Sequence, residues 1–260
     1  MPSNAIRIWG LQGIPEILPG THLANEILTA LASAGVAATV RDEHPQEADP
    51  LIFVVAQKVV SKSEGCMVRL DDIVPSTNAQ AWASAYHKDP RMVEVVLQQA
   101  RRVVKMDRGI IIAETYHGFV CANAGVDASN APGGMVVLLP TDPDRSADGL
   151  RRELEIGLRK HVAVIISDTF GRPWRVGLTN VALGISGLSP FIDYRGRVDS
   201  YGRSLQATVL AAADELAGAA ELVMGKIAGI PVAVIEGFRY TPTDGSGREL
   251  IRPAEEDLFR

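Results

Sequence analysis

Leu51-Ile-Phe-Val-Val-Ala56 is an unbroken apolar run, and Gln57-Lys58 and Ser61-Lys-Ser-Glu-Gly65 follow it at once. A run this short and this rich in β-formers reads as a buried strand. Polar residues placed directly after such a strand are aimed by a rigid element, which is where chemistry is expected. Before it, Ile6–Trp9 reads as a first strand and Gly13-Ile-Pro-Glu-Ile17 breaks it. Thr21 is an expected N-cap for a helix over His22–Ala34 that stops at Gly35, and Gly35–Arg41 reads as a short edge strand.

Downstream, helical spacing spans Asn78–His87, and Asp89-Pro90 opens a second helix through Arg91–Val104. Strands are expected over Gly109–Glu114, Met135–Leu139, Val162–Ser167 and Pro231–Glu236. Thr141–Ser146 caps a helix over Ala147–Arg159. Gly171–Gly202, rich in Gly, Arg and Asp, reads as long loops with short strands, and Leu205–Met224 as one long helix. Strands and helices intermix without strict βαβ alternation, which predicts an α+β fold rather than a doubly wound parallel sheet. Residues 1–240 are expected to form the main domain, with any subdomain boundary unmarked. The polar stretch 241–260 reads as a loosely held tail.

The chain has 260 residues, 47% hydrophobic and 22% charged, enough for a sizeable core without disulfides. A net charge of −5 does not suit bulk nucleic-acid binding, so any phosphate site must be local. Cys66 and Cys121 form no CxxC pair. The N-terminus lacks a basic start and apolar core, and no apolar run is long enough to span a bilayer, so a cytoplasmic protein is expected.

No GxxxxGK[ST], GxGxxG, GxSxG or HExxH pattern is present. Four polar clusters remain. Gln57, Lys58 and Lys62 suit phosphate oxygens, or are ordinary surface residues. Asn123–Asn130 offers Asp127 and Asn130 to a hard cation or phosphate, or forms an Asx turn. Ser167-Asp168-Thr169-Phe-Gly-Arg172-Pro-Trp-Arg175 places a carboxylate after a buried strand, with two arginines able to clamp anions. Arg195–Gly202 is a binding loop or merely a charged turn. Two separated aspartates with several cations suggest a metal-assisted phosphoryl site, and the residues alone choose neither nucleotide nor acceptor.

The same segments, in the same order, resemble the coenzyme F420-0:L-glutamate ligase (gamma-glutamyl ligase) family. They are Gly13–Ile17, Pro19-Gly20, Val55–Gly65, His117–Asn130, Leu138–Ala147, Ser167–Arg175, Ala213–Ala217 and Leu222–Lys226. The resemblance covers about residues 5 to 238. It implies an α+β fold with mixed, largely antiparallel sheets, and an intertwined homodimer. It implies that GTP activates the lactyl carboxylate of coenzyme F420-0 as an acyl phosphate, which L-glutamate then attacks, releasing GDP and phosphate.

The resemblance also implies Mg²⁺ or Mn²⁺, two per site, with K⁺ assisting. Metal ligands fall on Asp127 and Asp168, with Thr169 near a second ion. Nucleotide contacts fall on Ile14, Pro15, Glu16, Ile17, Gln57, Lys58, Lys62 and Asn130, and on Met224, Gly225 and Lys226. Some relatives carry glutamate where this chain has Lys226. Lys58, Lys62, Arg172 and Arg175 are the expected catalytic cations. Some actinobacterial relatives add a flavin-binding domain after this region, and none is expected here. A metal-dependent phosphohydrolase or a non-catalytic GTP-binding regulator are the alternatives.

Overall fold

The computed structural model describes residues 5–35 and 50–257. Its main sheet has the order β1-β12-β2-β8-β9, formed by Arg7–Gly10, Val232–Glu236, Leu51–Ala56, Val162–Arg172 and Arg175–Ser186. β2 and β8 run parallel, and the other neighbours are antiparallel. The fold is thus α+β, as the intermixed elements predicted, with the mostly antiparallel pairing that the resemblance implied.

β2 is buried on both faces because helices cover both. Leu51, Phe53 and Val55 enter one core with Ile27 and Leu31 of α1 (Leu23–Ser33) and Leu150 and Leu154 of a later helix, Pro143–Leu158. Ile52 and Val54 face the other core with Leu216, Ala217 and Ala220 of the helix Ala212–Met224. Alternate residues of one strand therefore serve opposite cores, which is why the run shows no polar alternation. Each such fully buried side chain contributes roughly 1.5–3 kcal/mol of transfer free energy.

Between β2 and β8 the chain builds a second body. It begins with α2 (Gln57–Ser63) and the strand β3 (Met67–Arg69). Next come α3 (Thr77–Tyr86) and α4 (Pro90–Gln99), capped by the side chains of Ser76 and Asp89. The strands β4 (Ala100–Asp107), β5 (Ile110–Thr115) and β6 (Val120–Ala122) make a three-stranded sheet, and β7 (Met135–Val137) pairs with β3. Val93, Val96, Ile111, Ala113, Val126 and Val136 form its core. The helix Pro143–Leu158 is α5 and follows this body. β10 (Ile192–Asp193) and β11 (Val209–Leu210) pair just before α6, the helix Ala212–Met224. Among the described residues, no helix is long and apolar enough to cross a membrane.

Several expectations change. The helix read through Val104 ends at Gln99, and Ala100–Asp107 is a strand because it pairs along β5. The region read as loops from Gly171 is instead the long strand β9, paired with β8 as far as Arg172↔Arg175. The helix read from Leu205 starts at Ala212. Thr21 does not cap α1, since its hydroxyl accepts the Leu18 N–H at 3.0 Å. The edge strand expected over Gly35–Arg41 lies, but for Gly35, outside the described residues.

The C-terminal segment is not loose. Asp144 of α5 accepts from Ile185 N at 2.9 Å, Gly247 N at 2.7 Å and Ser246 Oγ at 2.5 Å, joining α5, β9 and the segment. Ser246 and Glu249 close a capping box, and Leu250 and Ile251 pack against the cores.

Candidate functional site

The parallel pair positions the site. Ala56 of β2 stands opposite Ser167 of β8, so both strands deliver their next residues to one sheet edge. On one strand these are Gln57 and Lys58, which open α2; on the other they are Asp168 and Thr169. Ligands of sheets with parallel strands gather at such carboxyl ends. Sequence reading placed Asp168 beyond its strand, but β8 runs on through Arg172, so a continuing ladder fixes the Asp168 backbone.

The second body brings the other carboxylate. Asp127 exchanges two backbone bonds with Val137, at 3.0 and 2.8 Å. Its Oδ1 accepts from Ser129 N at 2.6 Å, an Asx turn, and its Oδ2 accepts from Ser129 Oγ at 2.8 Å. Lys58 Nζ then reaches across, 2.7 Å from Asp127 Oδ2, and donates to Ser129 O at 2.9 Å and Ser129 Oγ at 2.7 Å. The Asx-turn reading of Asp127 is therefore realised, with the Lys58 ammonium paired to the same carboxylate.

The two acids differ electrostatically. Burial raises Asp127, but the bonds from Lys58 and Ser129 outweigh it, and the net shift is downward. Burial, joined by the Asp127 charge, lifts Asp168 to about 6 against the opposing Thr169 backbone bond and the Lys226 and Lys58 charges. Cys121 on β6, buried and facing the Asp168 charge, is pushed up to about 12 and stays a thiol.

Lys62 is buried, and its Nζ lies 2.5 Å from Glu16 Oε1, so the Gly13–Ile17 segment closes over α2. Gln57, also buried, donates to Ser61 Oγ at 2.7 Å and to Leu138 O at 2.8 Å. Of the Ile14–Ile17 segment, Ile17 lies in the core, Ile14 packs against it, and Pro15 and Glu16 are exposed. Asn130 is exposed with φ of 53°, in the left-handed region. Met224 buries its side chain in the α6 core, and Gly225 is the exposed C-cap that follows. Lys226 bonds to Thr169 Oγ1 and lies 2.9 Å from Glu221 Oε1.

Arg172 and Arg175 do not join this cluster. They face each other at the exposed tip of the β8–β9 hairpin, and Arg172 is four residues beyond Asp168, roughly 13 Å along the strand. Two residues of the site escaped the sequence reading. Buried Asn180 sits opposite Thr169 and accepts its hydroxyl at 2.6 Å, and it donates to Glu221 Oε2 at 2.9 Å. Asn180 lies in the stretch read as loops and Glu221 inside the long helix, and neither position carries a local signal of its role.

Asp127 and Asp168 suit a hard divalent cation. A buried acid lifted by a second acid gains from a cation between them, and the oxygen donor set fits Mg²⁺ or Mn²⁺. Among the described residues no group of three His, Cys, Asp or Glu could hold a metal. Bound substrate and water would have to complete the shell, as Mg²⁺ sites on nucleotides do.

The chain matches known proteins over most of its length. The model for F420-0:Gamma-glutamyl ligase matches residues 12–237. Coenzyme F420:L-glutamate ligase of Methanothermobacter thermautotrophicus is 43% identical over 98% of this chain and 99% of its own length. The enzyme of that name from Methanocaldococcus jannaschii is 47% identical over 84% and 87%, and that from Archaeoglobus fulgidus 38% over 98% and 96%. The matched span begins beside the Glu16–Lys62 contact and ends just past β12, taking in both acids, both lysines and the two bodies that carry them. This chain belongs to the F420-0:gamma-glutamyl ligase family.

Proposed function

We propose that the chain joins the carboxylate of coenzyme F420-0 to the amine of L-glutamate, with GTP as the activating nucleotide. The observation that carries this reading is the meeting of Lys58, Asp127 and Asp168 where the two bodies join. A carboxylate is a poor electrophile. Its oxygen attacks the γ-phosphorus, the bond to the β–γ bridging oxygen breaks, and GDP leaves. The α-amine of glutamate then attacks the acyl phosphate carbon, loses a proton, and expels phosphate. The product is an amide that can itself serve as the next acceptor.

Lys58 and Lys62 place fixed positive charge beside the polyphosphate, where charge builds in transfer. Asp127 and Asp168 would hold the divalent ion, which supplies charge neutralisation on the phosphoryl oxygens. Glu16 holds Lys62, and Gln57 ties the start of α2 to Leu138. The hairpin tip, with Trp174, Val176 and Leu178 exposed, supports a homodimer in which a partner covers it and Arg172 and Arg175 reach the acceptor.

Mass spectrometry of coenzyme F420-0 incubated with the protein, GTP, Mn²⁺ and L-glutamate tests the reading. Species heavier by one or more glutamyl units, dependent on both GTP and glutamate, are expected. GTP hydrolysis with no mass shift would refute the ligase.

A further inference from the structure

Beside Asp168 a chain of contacts runs through groups for which the mechanism above has no use. Thr169 Oγ1 donates to Asn180 Oδ1 at 2.6 Å, and Asn180 Nδ2 donates to Glu221 Oε2 at 2.9 Å. Glu221 Oε1 lies 2.9 Å from Lys226 Nζ, and Lys226 closes the circuit onto Thr169 Oγ1. Asn180 is buried, Glu221 is mostly so, and Lys226 keeps one side open to solvent.

We propose that Lys226 is a built-in cation of the nucleotide site, standing at Thr169 where a second divalent ion would otherwise bind. Asn180 and Glu221 are the positioning residues that hold it there. The inference rests on the nucleotide reading above.

The blander account is a lysine closing the C-terminus of α6 by pairing with Glu221, a common arrangement. Two features go beyond it. Lys226 also bonds to a residue of another element, β8. The carboxylate that holds it is itself oriented by a buried amide from β9, which a surface ion pair does not require. The Thr169 hydroxyl already has Asn180 as acceptor and Lys226 as partner, so a metal there would have to displace a positive charge. An ammonium with its remaining proton toward solvent can instead donate to a phosphate oxygen as a point charge.

The test counts metal. Mn²⁺ is titrated into the protein with a non-hydrolysable GTP analogue in excess, and bound ion is followed by electron paramagnetic resonance. The wild type is expected to hold one Mn²⁺ per chain beyond that carried by free nucleotide. Lys226→Arg should keep that count, and Lys226→Glu should raise it to two. Two Mn²⁺ in the wild type, or one in Lys226→Glu, overturns the inference even if glutamyl transfer is normal. No analogue binding at all overturns the function reading with it.

Asn180→Ser and Glu221→Gln report the positioning role. Both should lower kcat/KM for GTP by about 10²-fold, the scale for a lost preorganised charge partner, with one Mn²⁺ retained. Unchanged kcat/KM in Glu221→Gln, with the fold intact by circular dichroism, would return Lys226 to the role of a helix-end ion pair.

Discussion

Replacing Asp144 by alanine should unfasten the C-terminal segment, and the structure sets the size of the effect. The carboxylate takes two backbone N–H groups, from Ile185 and Gly247, and the Ser246 hydroxyl, while Arg248 stands 3.9 Å away. A hydrogen bond to an ionised acceptor contributes about 1.5–3 kcal/mol, and a buried donor left alone costs about 1–3 kcal/mol. Ile185 and Gly247 are both buried, so water cannot easily replace the lost partner. Because the bonds share one acceptor their contributions do not add fully, and a loss of about 3–5 kcal/mol is expected. For a chain of this size that lowers Tm by roughly 6–20 °C. Asp144→Asn keeps one oxygen for the two N–H groups and should lose about half as much. Urea unfolding followed by circular dichroism gives the stability, and amide exchange at Ile185 and Gly247 shows where it was lost. A loss below about 0.5 kcal/mol in Asp144→Ala, or normal protection of the Gly247 amide, would refute the reasoning.

Asp127→Ala and Asp168→Ala should each cut glutamyl transfer by about 10²-fold or more while circular dichroism stays native. Near-normal turnover by either would remove it from the metal site. Mn²⁺ binding should depend on pH: Asp168 titrates at about 6, and its proton competes with the ion, so affinity should fall as pH drops below 6 and level off above 7. A flat profile from pH 5 to 8 would contradict the placement of Asp168 as a ligand. Gly184→Ala should destabilise by about 1–3 kcal/mol or more, because the added carbon would meet Pro143 O at 2.1 Å, a backbone atom that cannot swing aside. Thermal melting within a degree of wild type would show that α5 and β9 shift apart at little cost.

What could be read in advance follows from the reach of each force. β2, β12 and the first half of β8 announce themselves because burial on two faces leaves only apolar residues. Asp168 and Lys58 stand out because they follow such strands almost at once, whereas Asp127 lies in a run that by itself reads more readily as an Asx turn. The end of α4 was unreadable: Gln99, Ala100 and Arg101 carry no breaker, and only pairing with the next strand, β5, turns the chain into a strand. Thr208–Ala212 likewise has helix-compatible residues into α6, and β11 exists because Ile192 and Asp193 lie beside it. Asn180 and Glu221 depend on which β9 residue faces Thr169, a register that one-dimensional spacing does not encode.

The parallel pairing of β2 with β8 has a kinetic consequence. Two strands central to the main sheet are joined only through residues 57–161, and closing a loop of about a hundred residues costs roughly 4 kcal/mol of chain entropy before any contact repays it. The intervening body can lower that barrier, since β4 with β5 and α3 with α4 are sequence neighbours able to form early. Once folded, it draws the two strands' ends together. Refolding should therefore show a fast phase from the inserted body and a slower one for the sheet, and substitutions in the Val93–Ile111 core should slow the second phase although they touch none of its strands.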